Sequence, residues 1–223
     1  MTETSSKAVL WDMDGTLIDS AEDHWSAWRD TMTAEGIPIT YEQFLVSFGQ
    51  RNDAVLPAWL GAFSTPERVE RIGLVKEANY RRRVRQHGTP VIPGAIQLLR
   101  RLREQGWLQA IASSAPRLNI DVVLDVLGLA PLFQAVVAAE DVEHGKPDPQ
   151  VFLIAAARLN VAPSRSVVLE DGRAGLEGAR RAAMRSIGLS RNGTALAADL
   201  VVRSLEEIPP DAFTKLLGAP LAQ

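Results

Sequence analysis

Two carboxylates, Asp12 and Asp14, stand two residues apart between the apolar run Ala8-Val9-Leu10-Trp11 and the pair Gly15-Thr16. A carboxylate can attack phosphorus and form an acyl phosphate. It repels an anionic substrate, so that chemistry needs a cation beside it. A second carboxylate close by can protonate a leaving oxygen and later deprotonate water. Gly15 lets the chain turn tightly after the pair.

Three further pieces complement this one. In Ser113-Ser114-Ala115-Pro116 a hydroxyl can donate to a phosphate oxygen. Pro116 suits a first helical position, which would aim free N–H groups at an anion. In Gly145-Lys146-Pro147-Asp148-Pro149 a lysine stands just before two backbone-fixing prolines. Lys7, Lys76, Lys146 and Lys215 are the only lysines, so Lys146 is not one of a crowd. Its ammonium can neutralise a nucleophile and a transferring phosphoryl group. In Glu170-Asp171-Gly172 adjacent carboxylates can hold a hard cation such as magnesium. Each piece alone also has a plain reading: a solvated acidic turn, a serine helix cap, a loop lysine, an acidic helix start.

What positions these residues is a set of short apolar runs. Ala8 to Trp11, Leu108 to Ala112, Ala135 to Ala138, Val167 to Leu169, Ser186 to Leu189 and Leu200 to Val202 read as buried strands. Helical patterns lie between most of them, at Ala95 to Gln105, Asn119 to Leu127, Pro149 to Leu159 and Gly175 to Ala183. Alternation of this kind predicts a parallel sheet covered on both faces. The chemical pieces fall at strand ends, where open parallel sheets bind ligands. Gly175, Gly178 and Ala179 make one small face, suited to close packing on the sheet.

From Asp19 to Pro90 the rhythm breaks. No strand is expected there, and His24 to Ala34, Tyr41 to Phe48 and Pro66 to Arg85 read as helices. In the last, Val69, Ile72, Val75 and Val84 recur at roughly helical spacing. The run Arg81-Arg82-Arg83-Val84-Arg85 is expected to be a solvated face. A helical block, residues 19–90, is thus inserted into a core of residues 1–18 and 91–223. Leu17-Ile18-Asp19 and Thr89-Pro90-Val91 are the crossings.

The 223 residues suffice for one large domain or two unequal ones with a real core. A hydrophobic fraction of 46% and a charged fraction of 23% are ordinary for a globular protein. A net charge of -3 argues against a nucleic-acid partner. The absence of cysteine excludes disulfides, thiol nucleophiles and cysteine-bound metals. Met1 to Lys7 has no apolar core, which argues against a secretory signal. No apolar run reaches the ~18 residues of a membrane span. The expectation is a cytoplasmic chain without membrane contact, a monomer or weak dimer.

Together, Asp12-x-Asp14, Ser113, Lys146 and Glu170-Asp171 resemble the four signature motifs of the haloacid dehalogenase superfamily, and the inserted block resembles its alpha-helical cap. The resemblance implies an α/β fold, a Rossmann-like parallel sheet with an all-α cap. It implies Asp12 as nucleophile, Asp14 as general acid/base, and Ser113 and Lys146 as phosphate-stabilising groups. It implies a magnesium site from Asp12, the backbone carbonyl of Asp14 and Asp171, with Glu170 as a further ligand. Dehalogenases proper lack the second acidic residue, so Asp14 implies phosphoryl transfer. The segment Asp19 to Trp28 is similar to the start of the cap in the beta-phosphoglucomutase branch and its phosphatase relatives. That similarity makes His24, Arg51 and Lys76 candidates for substrate binding, and Ser114, beside Ser113, is a further candidate. The implied activity is magnesium-dependent hydrolysis of a small phosphorylated metabolite, phosphoglycolate or a sugar phosphate. A phosphomutase is the enzymatic alternative, and a binding protein on a retained catalytic fold is the non-enzymatic one. Gln50 departs from the mutase pattern.

Overall fold

A computed structural model describes residues 6–218. The expectation for Met1 to Lys7 lies outside them as far as Ser5. Among the described residues six strands form one parallel sheet: β1 (Ala8–Trp11), β2 (Leu108–Ala112), β3 (Ala135–Val137), β4 (Ser166–Glu170), β5 (Arg185–Leu189) and β6 (Leu200–Val202). Their order is β3-β2-β1-β4-β5-β6. The chain thus reverses its direction of growth between β1 and β4. A crevice opens at such a point, outside the carboxyl ends of the strands.

Side chains alternate across a strand, so β1 feeds two cores. Val9 and Trp11 join a cluster with Leu98, Ile120 and Phe213. Ala8 and Leu10 join another with Phe152 and Ala155. The first lies under α5 (Ala95–Glu104), α6 (Arg117–Leu127) and α9 (Ala212–Gly218), the second under α7 (Gln150–Arg158) and α8 (Arg173–Arg181).

The inserted block holds α1 (Ala21–Ala34), α2 (Tyr41–Ser47), α3 (Asn52–Leu60) and α4 (Pro66–His87). Local signals start two of these helices. Thr40 and Gln43 close a reciprocal cap on α2, and Thr65 caps α4 ahead of Pro66. Trp28, Met32, Phe44, Leu56, Leu60 and Ile72 give the block a small core of its own. The two crossings run side by side: Ile18 bridges Val91, the Asp19 N–H donates to the Pro90 carbonyl, and Ile92 donates to that of Leu17. None of the helices described is long and apolar enough to cross a membrane.

Four readings are corrected. Helix α3 was not expected; Pro57 lies inside it and would ordinarily break a helix. Pro116 precedes α6 with a ψ of 144°, so the helix starts at Arg117. The Arg117 N–H donates to Glu140, which removes one of the amides expected for an anion. Val75 is exposed, and the buried stripe of α4 is Ile72, Lys76, Tyr80 and Val84, with Gly73 and Glu77 beside it. Arg82 and Arg85 are exposed as expected, but Arg81 is half-buried and donates to the side-chain carbonyl of Asn119 on α6.

Candidate active site

β1, β2 and β4 are neighbours, so their carboxyl ends bring three of the four pieces together. Asp12 follows β1 and still pairs its N–H with the Leu169 carbonyl. Ser113 follows β2 and pairs with the Val137 carbonyl. Glu170 ends β4 and Asp171 follows it. The fourth piece, Lys146, arrives from the loop between β3 and α7, its Nζ 2.6 Å from Asp12 Oδ1 and 2.8 Å from Glu170 Oε2.

Glu170 is buried and its other oxygen accepts the N–H groups of Asp171 and Gly172. A Cβ on Gly175 would lie 1.8 Å from Glu170 Oε2. The small face of α8 therefore makes room for a carboxylate at Gly175, while Gly178 packs on Phe152 as close packing requires. Thr16 Oγ1 donates to Asp171 Oδ1 at 3.2 Å. The Ser113 hydroxyl is buried and accepts from the Ala115 N–H, which leaves its proton to give; Ser114 is half-buried beside it.

Asp12, Glu170 and Asp171 each offer an oxygen within 4.8 Å of the others. Burial, then the charge of Glu170, pushes the Asp12 carboxyl well up, against the pull of Lys146. Burial and Glu170 likewise push Asp171 up to about 7. Three crowded carboxylates and one ammonium leave negative charge that a divalent cation would neutralise, and the all-oxygen donor set fits a hard ion such as magnesium. Glu170 already spends both oxygens, one on Lys146 and the other on the two backbone N–H groups.

The Asp14 side chain stands apart from that cluster. Its Oδ1 accepts from Ser20 Oγ at 2.5 Å and lies 3.2 Å from His24 Nε2. Ser20 is at the N-cap position of α1 but makes no side-chain cap, and its hydroxyl proton goes to Asp14. Burial would raise the Asp14 carboxyl, but His24, Ser20 and the charge of Lys76 outweigh it and hold it below the usual range. His24 is fixed by stacking on Tyr80, centroids 4.0 Å apart, with Phe48 at its edge.

Lys76 does not reach open space as a substrate contact would. Its Nζ is 2.8 Å from His24 Nδ1 and 2.8 Å from Glu77 Oε1. An ammonium only donates, so Nδ1 is the accepting nitrogen and Nε2–H points at Asp14. Arg51 lies over Gly145, where a Cβ would meet its side chain at 3.0 Å. Its guanidinium bonds Asp53 twice and the Ala139 carbonyl once, so it spans from the helical block to the rim of the sheet. Ser20, Phe48, Glu77, Tyr80 and Asn119 were not anticipated. The one available signal was the charged pair Lys76-Glu77 on the stripe set by Ile72, Tyr80 and Val84.

The model of the haloacid dehalogenase-like hydrolases matches residues 6–183. Hexitol phosphatase B of Escherichia coli (strain K12) is 36% identical over 192 residues, covering 81% of this chain and 82% of the relative. Validoxylamine A 7'-phosphate phosphatase of Streptomyces hygroscopicus subsp. limoneus is 32% identical over 205 residues, covering 91% of this chain and 95% of the relative. The crystal structure of beta-phosphoglucomutase from Clostridium difficile superposes with a TM-score of 0.86 at 25% identity, covering 96% of this chain and 97% of that one. The chain belongs to the haloacid dehalogenase-like hydrolases, among relatives that are sugar-phosphate phosphatases and beta-phosphoglucomutases.

Proposed function

We propose that the chain is a magnesium-dependent phosphatase of a small phosphorylated metabolite, working through an aspartyl phosphate on Asp12. The observation that carries this is the division of labour between the two carboxylates. Asp12 sits among Lys146, Glu170 and Asp171, while Asp14 sits apart, hydrogen-bonded to Ser20 and His24. One is arranged as a nucleophile beside an ammonium and a cluster suited to a metal ion, the other as a proton carrier.

Asp12 attacks phosphorus in line, and the bond from phosphorus to the ester oxygen breaks. Asp14 gives its proton to that oxygen. Its carboxyl is held low in the free enzyme, but an arriving phosphate adds negative charge and raises it, so the proton is taken up with the substrate. Water then attacks the phosphorus of the aspartyl phosphate, Asp14 takes the water's proton, and phosphate leaves with the Asp12 carboxylate restored. The Ser113 hydroxyl and the Lys146 ammonium hold phosphoryl oxygens throughout. Asp12, Asp171 and the Asp14 carbonyl would hold a divalent cation, which would supply neutralisation of the negative charge that gathers during transfer.

Residues 19–90 act as a cap that closes over the site and excludes bulk water. Arg51, with Ser114 on the sheet side, contributes to the mouth of the closed site. The named relatives support a sugar phosphate or sugar-alcohol phosphate as substrate, with phosphoglycolate as a further candidate. The chain acts in the cytoplasm as a monomer or weak dimer, without nucleic acid or membrane.

Phosphate release from a panel of phosphorylated metabolites with magnesium, for wild type and Asp12→Asn, tests this. Release by the wild type alone is expected; equal release by both would sink the nucleophile assignment. The likeness to beta-phosphoglucomutase favours a second reading, in which a substrate hydroxyl receives the phosphoryl group. Isomerised sugar phosphate without net phosphate, on adding a trace of bisphosphate, would decide for it.

A further inference from the structure

Behind His24 the buried polar chain continues past Lys76. Glu77 is 5% exposed, and its hydrogen bonds come from α4 itself and from two other helices. Its Oε1 accepts from Lys76 Nζ at 2.8 Å and from Asn52 Nδ2, on α3, at 2.7 Å. Its Oε2 accepts from Asn119 Nδ2 at 2.5 Å. Asn119 is fully buried and belongs to α6, the helix that follows Ser113 and Ser114. Arg81 donates to Asn119 Oδ1 at 2.9 Å, and since a guanidinium only donates, the amide must turn its NH2 toward Glu77.

We infer that Glu77 is a positioning residue for the general acid/base, and that Asn119 completes it only when the helical block is seated on the sheet. The inference rests on the reading of Asp14 as that acid/base. Without an acceptor on its far side the Lys76 ammonium would be buried beside a neutral ring, which is unfavourable. With Glu77 in place, Lys76 is held against Nδ1, and the Nε2–H of His24 is held on Asp14. Glu77 in turn is a buried carboxylate that needs the Asn119 amide from the other layer. Lifting the block off α6 would withdraw that donor and loosen the chain of contacts as far as Asp14. The proton carrier is thereby set only in the closed state.

Leaving-group dependence separates this role from simple packing. An alkyl phosphate needs its leaving oxygen protonated, whereas p-nitrophenyl phosphate does not, and kcat/KM reports phosphoryl transfer to Asp12 in both cases. Both esters would be measured with the wild type, Glu77→Gln, Asn119→Ala and Asp14→Ala, using the best alkyl phosphate of the metabolite panel. For Glu77→Gln and Asn119→Ala, kcat/KM should fall at least about tenfold further for the alkyl ester than for the aryl ester, with the alkyl loss in kcat rather than KM. Equal losses on the two esters, with Asp14→Ala strongly selective, would overturn the role of Glu77 and leave Asp14 as acid. No selectivity in Asp14→Ala would remove the acid assignment and this inference with it. If Glu77→Gln does not fold, judged by circular dichroism, Asn119→Ala carries the same test.

Discussion

The Cβ that Gly15 lacks would sit 2.1 Å from Oδ2 of Asp171. The turn after β1 and the end of β4 are thus interlocked, with Thr16 adding a hydrogen bond to the same carboxylate. Gly15 also has a φ of +95°, in the region that side chains avoid. Gly15→Ala is therefore expected to displace Asp171 and to strain the turn. Stability should fall by about 1–3 kcal/mol in urea melts, and the magnesium concentration for half-maximal activity should rise by about tenfold or more. An unchanged magnesium curve would mean that Asp171 is not a ligand.

The crowding of Asp12, Glu170 and Asp171 has a signature in pH. A carboxyl whose folded value is raised binds more protons folded than unfolded, between its unfolded and folded values. Stability from it is then lost as pH rises through that window. For Asp171 the window runs from 3.8 to about 7, with Asp12 raised in the same sense. In chelator, the melting temperature should fall from pH 5 to pH 8. Magnesium competes with these protons, so its stabilising shift should be larger at pH 8 than at pH 5. Asp171→Asn should flatten that difference. A magnesium shift of equal size at both pH values in the wild type would show that the ion binds elsewhere.

Much of this site was legible because its residues end apolar runs. A strand such as Ala8 to Trp11 announces itself by continuous hydrophobicity, and whatever follows it stands at the sheet's rim. The helical block was legible only as helices. Its buried stripe on α4 carries Lys76 and Glu77, so a pattern search for apolar residues put Val75 inward instead. The two charges pair with each other, but their remaining hydrogen bonds go to partners distant in sequence, His24, Asn52 and Asn119, and no local spacing reveals them. The same holds for Gln109, a polar residue in the middle of β2 whose side chain is fully buried.

Gln109 leads to a prediction about stability alone. Its Oε1 accepts from Trp11 Nε1 at 3.1 Å and its Nε2 donates to the Leu99 carbonyl at 3.0 Å. Gln109→Leu keeps the volume but strands a buried indole N–H and removes the second donor from the Leu99 carbonyl. It should cost about 2–4 kcal/mol, read from urea denaturation, with kcat/KM per folded molecule preserved. A loss under about 0.5 kcal/mol would mean that water replaces both bonds.

Arg51 can be probed through its partners. Its bonds to Asp53 and to the Ala139 carbonyl place it across the seam between the helical block and the sheet. Arg51→Ala should raise KM for the best substrate by about tenfold while kcat falls much less, the pattern of lost binding common to ground and transition states. A fall in kcat alone would instead place Arg51 in the chemical step.

Lys146 carries two duties that a double variant separates. Burial would favour its neutral form, but Asp12 and Glu170 outweigh that and hold it charged. Lys146→Met leaves both carboxylates buried without a counter-charge. The variant should lose about 3–5 kcal/mol of stability, as broken buried pairs do, and about 10³-fold in kcat/KM. Adding Glu170→Gln removes one stranded charge while the amide can still accept from the Asp171 and Gly172 N–H groups. Stability should then recover in part, by about 1–3 kcal/mol, whereas activity should stay low because no ammonium remains to hold the phosphoryl oxygens. Recovery of both would mean that the lysine serves only to neutralise Glu170, and its part in phosphoryl transfer would have to be given up.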